Sequence, residues 1–583
     1  MKTTNLTNPP STVQPNQRKL FRTYKRAQKE IWNGREFQLA IKRHIKTFSS
    51  IKCQEFRVTM ANLFFTDEIQ LSQLKSLIKL LRHNKSLRSL KLPNQSPRTF
   101  SINIILPHLK HLQALLNFTL ELTDTQFITS KICHSFALSI KNIKQLTHLN
   151  HNIYQNLQRP SKSLKTFRHF PTLRHLSNLS LNFQSTKTFT DQSFSQFSSH
   201  LSRLESLTSF SLNLDNCDGL TKISLSHLFS NISQFFLLTA FSFQSYSFKT
   251  LDSHLLIELF QGLKNLSSLQ ELTLSLSACK ISRISVQEPL AASLRLMNHL
   301  FLRKISLDFY STFSDSDLSN LLVVLQRFSL LVHLKLGFNQ TYQMNGQNLS
   351  NLHKTLKHLP LLAHFSLVES NSRIDASFLF NSLSLSLGNL KHLQSLKLMI
   401  YGNESLNNLA IENFSTKLSE LFGLRYLDLD FEECQKLSDR SLESMAFALR
   451  GLENLESLHL NFEMIDKVTN QGVMALGSSL ACLKGLKDLQ LKLGNKENGE
   501  SLASLTTSIK CLECLNEIYL NFGGGSEDRS GPKNYKDFIE VVGSLDMLKK
   551  AFLKIPQFEE SQYCDEIAEK VSNSSKNFTI FWK

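Results

Sequence analysis

The chain has 583 residues, of which 41% are hydrophobic and 20% are charged, a composition that excludes a disordered or fibrous protein. The net charge of +18 is uneven: residues 1–60 carry 13 Lys/Arg against 3 Glu, whereas residues 401–583 carry 20 Lys/Arg against 28 Asp/Glu. No apolar stretch approaches the roughly 18 residues of a transmembrane helix, and the nine scattered cysteines favour a reducing compartment. We therefore expect a cytoplasmic protein, with the nucleus as an alternative.

Residues 1–16 are polar, contain three prolines, and predict a disordered tail. The first 29 residues lack acidic side chains, as mitochondrial transit peptides do. We favour the tail over a transit peptide because the prolines would break an amphipathic targeting helix.

Residues 17–52 predict a basic helical cap with two amphipathic patterns, separated at Gly34. A repeat array needs such a cap to cover its first open end. The first pattern, residues 17–33, is equally consistent with a docking helix for nucleic acid, a membrane surface or a protein. Its candidate docking residues are Arg18, Lys19, Arg22, Lys25, Arg26 and Lys29.

From Cys53 onward one pattern recurs, Leu-x-x-Leu-x-Leu-x-Phe/Leu, seventeen times at a spacing of about 31 residues. One copy is Leu424, Leu427, Leu429 and Phe431. The alternation of the last three positions predicts a strand, and the helical spacing that follows predicts a helix, with Ser438 or Asp439 as its N-cap. One strand and one helix cannot bury their apolar faces alone, so the repeats must stack.

These repeats resemble the leucine-rich-repeat superfamily, and within it the ribonuclease-inhibitor-like subclass with a helix in each repeat. The resemblance covers residues 53–570 and implies an α/β solenoid with a curved parallel inner sheet and outer helices. It also implies a side-chain ladder in the bend after each strand, at Cys217, Cys279, Asn403 and Cys434 but not in every repeat. Residues 571–583 predict a short apolar segment that caps the last repeat.

No catalytic motif appears: the sequence has no phosphate-binding loop, no H-E-x-x-H and no G-x-S-x-G. Cys511 and Cys514 form a CxxC, but no second pair or suitable histidines accompany it, so a structural role is favoured over zinc. His333, His364 and His459 are predicted on the exposed side of strands without a catalytic grouping. We therefore expect no enzyme activity, no cofactor and no metal.

The inner sheet face is the remaining candidate site. Its outward positions become charged and aromatic in the later repeats, as at interface anchors, although an ordinary solvated face gives the same pattern. The candidate contact residues are Tyr426, Asp428, Asp430, His459, Asn461, Asp488 and Tyr519.

The sequence is consistent with three functions. The first is a protein–protein interaction scaffold or adaptor, which the family resemblance also implies. The second is an RNA or ribonucleoprotein-binding protein, because the first 400 residues carry a net charge of +26. The third, by family analogy only, is the substrate-recognition subunit of a ubiquitin ligase, although the residues before the repeats lack the pattern of an F-box. The sequence does not indicate an oligomeric state.

Overall fold

The computed structural model describes most of the repeat region. The described residues are 88–92, 106–122, 130–153, 164–185, 189–217, 219–246, 253–277, 287–297, 301–310, 315–339, 346–370, 374–493, 499–521, 531–555 and 577–582. The predicted tail, the predicted basic cap with its six docking residues, and the repeat copy at Cys53 lie outside this part of the chain.

Seventeen strands are described. They are β1 Ser89–Leu92, β2 Asn117–Leu122, β3 His148–Ile153, β4 Asn178–Asn182, β5 Ser209–Asn213, β6 Ala240–Tyr246, β7 Glu271–Ser277, β8 Lys304–Tyr310, β9 His333–Asn339, β10 His364–Ser370, β11 Ser395–Tyr401, β12 Tyr426–Asp430, β13 Ser457–Asn461, β14 Asp488–Lys492, β15 Glu517–Asn521, β16 Lys550–Ile555 and β17 Asn577–Trp582. The last of these lies within the segment predicted to cap the final repeat, and it adds to the sheet by pairing with β16.

Helices alternate with the strands. The α-helices are α1 Ser130–Asn142, α2 Asp191–Leu201, α3 Lys222–Ile232, α4 Ser253–Leu263, α5 Gln287–Leu296, α6 Asp315–Leu325, α7 Gly346–Lys357, α8 Ala376–Leu387, α9 Asn408–Leu418, α10 Asp439–Leu449, α11 Asn470–Leu480, α12 Gly499–Ile509 and α13 Gly531–Ser544. Two early repeats have 3₁₀ segments instead, Leu106–His111 and Leu164–Thr172. Pro171 lies near the end of the second segment and lacks the amide that an α-helix would use there, whereas Pro107 lies in the first turn of its segment, where no such amide is required.

The described chain forms two compact units, one of Met1–Asn182 with Thr188–Ser206 and one of Phe183–Lys187 with Leu207–Lys583. In the first, β1 to β4 pair in chain order, and all pairs are parallel. In the second, β5 to β17 do the same. This regular alternation of parallel strands and helices is the leucine-rich-repeat α/β solenoid fold, which confirms the prediction.

The core of each repeat lies between its strand and its helix. In the repeat of β12 and α10, Leu427 and Leu429 from the strand and Met445 and Leu449 from the helix are fully buried. Phenylalanines join one repeat to the next: the Phe431 ring lies 5.3 Å from that of Phe462. A buried leucine contributes about 2 kcal/mol, so each added repeat stabilises its neighbours through a continuous apolar core.

The bend after the strand contains the side-chain ladder that the resemblance implies. The Cys217 thiol donates to the Phe183 carbonyl (3.0 Å) and the Cys434 thiol to the Ile400 carbonyl (3.2 Å). Asn403 donates its amide nitrogen to the Ile374 carbonyl (3.0 Å). These three sites are confirmed, and the fourth, Cys279, lies outside the described residues.

We expect Asn403→Ala to lower the free energy of unfolding by about 2 kcal/mol, because it leaves buried backbone groups without partners. Asn403 is buried, and its side-chain oxygen also accepts from the amides of Ser405 (2.9 Å) and Leu406 (3.2 Å). Urea-induced unfolding would measure the change. The control is Asn454→Ala, which removes one exposed bond to the Phe422 carbonyl and should cost less than about 0.5 kcal/mol. Equal losses in the two variants would contradict a special role for the ladder.

Helix capping differs from the prediction. Ser438 is the N-cap residue of α10, but its side chain bonds no amide of its own helix. The Ser438 amide instead donates to Asn408 Oδ1 of the preceding repeat (3.0 Å). Asp439 likewise caps the next helix, since its Oδ1 accepts from the amides of Thr469 (2.6 Å) and Gly472 (3.1 Å). A Cβ at position 472 would lie 2.6 Å from that oxygen, so a larger residue there would displace the Asp439 carboxylate. The prediction that Ser438 or Asp439 caps α10 with its side chain is therefore wrong: Asp439 bonds the next helix, α11, where the Thr469 side chain also accepts from the Gln471 amide (3.3 Å).

We expect Asp439→Ala to lower the free energy of unfolding by about 1–2 kcal/mol, the usual cost of losing a helix cap. Its neighbour provides a control: Arg440 pairs with Glu412 at 2.6 Å, but the Arg440 side chain is 63% exposed. Arg440→Ala should therefore cost less than about 0.5 kcal/mol. Thermal unfolding of both variants tests the pair, and a larger loss for Arg440→Ala would overturn the assignment of Asp439 as a cap between repeats.

Candidate functional site

The polar face of the second unit is the set of strand residues that alternate with the buried leucines. The strands pair without offset, so equivalent residues form rows across the sheet. The first row from β11 to β16 is Ser395, Tyr426, Ser457, Asp488, Glu517 and Lys550; the second row is Lys397, Asp428, His459, Gln490, Tyr519 and Phe552. Five of the seven predicted contact residues belong to these two rows.

Four of those five form one hydrogen-bonded network. His459 Nε2 lies 2.7 Å from Asp488 Oδ2, and His459 Nδ1 lies 3.3 Å from the Tyr426 hydroxyl. That hydroxyl donates to Asp428 Oδ2 (3.0 Å), which also accepts from Lys397 Nζ (2.6 Å). A continuous chain of polar contacts therefore crosses β11 to β14, with Lys397 at one end and Asp488 at the other.

The electrostatics of this network fix the protonation of its members. Burial alone would lower the pKa of His459, but its interactions with Asp428 and Asp488 outweigh burial and raise that pKa to about 9. Burial likewise opposes ionisation of Asp428, yet His459 (Nδ1 to Oδ2 3.9 Å) and Lys397 lower the pKa of this carboxyl to about 2. His459 is thus an imidazolium held between two carboxylates at neutral pH.

Tyr426 completes the chain as a neutral hydroxyl. Burial, then the Asp428 charge and the hydrogen bond to it, raise the pKa of the Tyr426 phenol. The protonated His459 Nδ1 donates to the Tyr426 oxygen, and the Tyr426 hydroxyl donates to Asp428, so the phenol both accepts and donates a hydrogen bond. Ser457 Oγ adds a further bond to Asp488 Oδ2 (3.1 Å).

Asp430 and Asn461 make hydrogen bonds within the bends that follow their strands. Asp430 Oδ1 accepts from the backbone amide of Glu432 (3.1 Å), and Asn461 Oδ1 accepts from that of Glu463 (3.0 Å). Asn461 also donates to Glu432 Oε2 (2.8 Å) and is only 5% exposed. These contacts shape the bends after β12 and β13 and leave Asn461 little surface for a partner.

Tyr519 lies outside the charged network. Its ring stacks on that of Phe552 in the next strand, with centroids 4.5 Å apart and planes at 11°. In the row, Gln490 separates this aromatic pair from His459. The polar face thus combines a half-buried ionic network with a neighbouring aromatic surface.

Three participating residues are absent from the sequence prediction: Lys397, Ser457 and Phe552. Each occupies the motif position of a predicted residue one repeat away, so the repeat register itself could have identified them. Lys397 pairs in register with Asp428, Ser457 with Tyr426, and Phe552 with Tyr519. Contact between them depends on side-chain direction, which the motif does not specify.

The arrangement is poorly suited to nucleophilic catalysis. Ser457 Oγ lies 3.2 Å from His459 Nε2, but the same nitrogen faces Asp488, and the imidazole is already protonated. A general base needs a free lone pair toward the nucleophile, which this imidazolium lacks. In the part of the chain that the structure describes, no group of three or more His, Cys, Asp or Glu is arranged to hold a metal ion.

The two cysteines of the CxxC motif differ in their surroundings. Cys514 is exposed, whereas the Cys511 thiol donates to the Thr507 carbonyl at 3.6 Å. Among the described helices, none has both the length and the apolar character to span a bilayer.

Comparison with known proteins bears on the fold alone. No protein-family model matches this chain, and no curated protein sequence matches it either. Among solved structures, the chain is similar to the leucine-rich repeat-containing protein LegL7 from Legionella pneumophila, at 12% sequence identity and a TM-score of 0.29. The match covers 62% of this chain and 97% of LegL7. By its own repeat and its own parallel strand–helix architecture, the chain has the leucine-rich-repeat fold.

Proposed function

We propose that this protein is a non-catalytic interaction scaffold that binds a protein partner on the polar face from β11 to β16. The observation that carries the proposal is the network of Lys397, Asp428, Tyr426, His459 and Asp488 beside the Tyr519–Phe552 stack. Aromatic groups set among charged ones, at partial burial, are typical of residues that anchor protein interfaces.

Preorganisation supports this proposal. The five network side chains are already fixed by hydrogen bonds, so ordering them on binding costs little conformational entropy. Asp428 is only 9% exposed. We therefore infer that Asp428 positions Tyr426 and His459, whereas Tyr426, His459, Gln490 and Tyr519 supply the contact surface.

A photo-crosslinking residue at Gln490 provides the test, since Gln490 lies between His459 and Tyr519 in the row. The control has the same crosslinker at Ser478, an exposed residue of α11. Both full-length variants would be irradiated in the source cells, treated with ribonuclease, and analysed by mass spectrometry. We expect one defined protein to crosslink at least about tenfold more at 490 than at 478.

The same partner should be lost from the Gln490 crosslinker when Tyr519→Ala or His459→Ala is added. An anchor residue typically contributes about 2 kcal/mol or more, which is roughly a thirtyfold weaker affinity. Equal crosslinking at both positions would contradict binding on this face. Crosslinks that require intact RNA would favour the ribonucleoprotein alternative instead.

A further inference from the structure

Exposed cations recur along one edge of the first unit, where each helical segment ends and the chain turns into the next strand. We call this edge the basic rim. Its cations, all exposed, are Lys110, Lys141, Lys144, Arg174 and Arg203. Lys144 and Arg174 each lie two residues before the first motif leucine of their repeats. Lys110 and Lys141 each lie five residues before it, so the same motif positions are basic in successive repeats.

Hydrogen bonds hold these turns side by side. The Thr147 amide donates to the Leu116 carbonyl (2.8 Å), and the Ser177 amide donates to the Thr147 carbonyl (2.9 Å), so the pairing of β2, β3 and β4 extends back into the turns. Ser206 Oγ donates to the Arg174 carbonyl (2.8 Å), which joins the turn of Arg203 to that of Arg174. Equivalent cations of successive repeats therefore form rows that run across the strands.

The positive charge of the rim is not neutralised within the unit. The described part of the first unit has ten Lys/Arg against three acidic residues, Glu121, Asp191 and Glu205. Glu121 lies near the end of β2, and Asp191 begins α2, at the opposite end of that helix from the rim. Only Glu205 lies on the rim. Among the residues that the structure describes, no ion pair joins any of the five rim cations to a carboxylate.

The corresponding edge of the second unit differs in its charge pairing. Arg425 and Lys487, which directly precede strands β12 and β14, both pair with Glu456, at 3.0 and 2.6 Å. The charges of Arg425 and Lys487 are compensated within the protein, whereas those of the basic rim are available to an anionic ligand.

The surroundings of the rim cations favour a nucleic acid over a membrane or a protein. Membrane surfaces and protein interfaces are usually anchored by exposed apolar or aromatic side chains. In the described part of the first unit, the large apolar side chain that is exposed is Leu138, which lies within α1 and outside the rim. Phosphate groups require only cations and hydrogen-bond donors, which the rim supplies.

Histidine and glutamine side chains of the rim favour single-stranded RNA among nucleic acids. His111 and His175 are exposed beside the cations, and the His111 ring stacks on that of His108, with centroids 6.3 Å apart. Unpaired RNA bases stack on histidine rings and guanidinium planes. Gln113 is exposed in the row of Lys144 and Arg174, and its amide can bond a ribose 2′-hydroxyl, which DNA lacks.

We propose that the basic rim of the first unit binds single-stranded RNA, with its five cations at the phosphates and His111 and His175 against the bases. The residues of this site belong to a different unit from the polar face of β11 to β16. The proposal therefore adds a second class of ligand to the proposed scaffold and does not depend on the protein partner.

A fluorescent RNA of mixed sequence and about 20 nucleotides is the probe. Its affinity for the full-length protein would be measured by anisotropy at 50 and 200 mM salt. Five phosphate contacts predict an affinity that falls roughly a hundredfold over this range, because each contact on a single strand adds about 0.7 to the logarithmic salt slope. Single-stranded DNA of the same sequence should bind at least about threefold more weakly.

The variant K144E/R174E should bind the RNA at least about tenfold more weakly than the wild type at 50 mM salt, and its affinity should fall only about twentyfold between the two salt concentrations. The matched control is K391E/K484E. Lys391 and Lys484 are exposed and occupy the same motif position in the second unit, so this control changes the net charge equally. Its affinity should stay within about twofold of the wild type.

Equal losses in the two variants would show that RNA responds only to net charge and would overturn the proposal. Unchanged binding by K144E/R174E, or no RNA binding by the wild type, would overturn it as well. Equal affinity for DNA would contradict the assignment to RNA. Binding of phosphatidylserine vesicles or of a poly-glutamate peptide in place of RNA, with the same loss in K144E/R174E, would assign the rim to a membrane or to an acidic protein. The Gln490 crosslink should be unchanged in K144E/R174E, so failure here is distinct from failure of the proposed function.

Discussion

Replacing His151 by leucine is expected to raise the free energy of unfolding of the first unit by about 1 kcal/mol at pH 7.5 and by about 3 kcal/mol at pH 5. His151 occupies a leucine position of the repeat, since it pairs in register with Leu120 on one side and Leu181 on the other. It is only 3% exposed, and its Nδ1 has no hydrogen-bond partner among the described residues. Leucine removes that unsatisfied nitrogen at similar volume.

The pH dependence follows from burial, which lowers the pKa of His151 to about 3. The unfolded chain binds a proton below about pH 6.5, whereas the folded protein does not until about pH 3. The wild type therefore has full stability above pH 6.5 and loses about 1.4 kcal/mol per pH unit as the pH falls from 6.5 toward 3. At pH 5 this loss amounts to about 2 kcal/mol.

Hydrogen exchange of the amides in β2 to β4, corrected for the intrinsic rate at each pH, would measure both effects. His148→Leu is the matched control, because His148 lies in the same strand but is exposed. Only His151→Leu should flatten the pH dependence. An equally steep loss of protection in wild type and His151→Leu would show that other groups cause it.

The aromatic neighbours of His151 explain why a histidine is tolerated there. Its ring stacks on Phe136, with centroids 4.6 Å apart, and meets the edge of Phe167 at 5.8 Å. Such aromatic contacts contribute roughly 0.5–1.5 kcal/mol and offset part of the cost of burying the imidazole. The motif itself gives no sign of this arrangement, because it marks position 151 only as a departure from leucine.

The sequence predicts the fold of the described repeats because the leucine spacing reports one strand and one helix per unit. The spacing is set by the core, where Leu427 and Leu429 alternate with outward residues as expected. The ladder residues Cys217, Asn403 and Cys434 follow from the family resemblance, which implies a ladder position at a fixed distance after the first leucine of each copy. The periodicity gives no information about hydrogen bonds between neighbouring repeats. It therefore does not predict the cap that Asp439 provides to the next helix.

For the candidate site too, the sequence predicts the positions of the residues but not the contacts between them. Its residues are predicted on the correct strand face, since strand alternation determines which way they point. Their contacts depend on side-chain rotamers and on the residues of the neighbouring strand. The hydrogen-bonded network from Lys397 to Asp488 can therefore be identified only from the three-dimensional structure. Asn461 illustrates the limit: it is outward in the pattern, yet hydrogen bonds with Glu432 and Glu463 bury it.

The His459 network should respond to pH in the opposite direction from His151. Because the pKa of His459 is raised from 6.5 to about 9, its stabilising contribution is fully present below pH 6.5 and is lost as the pH rises through 9. The shift corresponds to about 3 kcal/mol before screening, and we expect about 1–1.5 kcal/mol because the His459 side chain, at 19% exposed, is still in contact with solvent. Asp428, whose pKa is lowered to about 2, contributes above pH 3.8 and stops contributing as the pH falls toward 2.

Hydrogen exchange of residues 424–493 between pH 5 and pH 9.5 would test this expectation in the same samples that report on β2 to β4. Protection around β12 to β14 should fall on the alkaline side, whereas protection around His151 should fall on the acidic side. His459→Gln should remove the alkaline loss, because glutamine keeps polar contacts to Asp428 and Asp488 without titrating. His392→Gln, an exposed substitution in the turn before β11, should not remove it. If His459→Gln kept the full alkaline loss, the imidazolium between the two carboxylates could not be its source, and the charge assignment of the network would have to be abandoned.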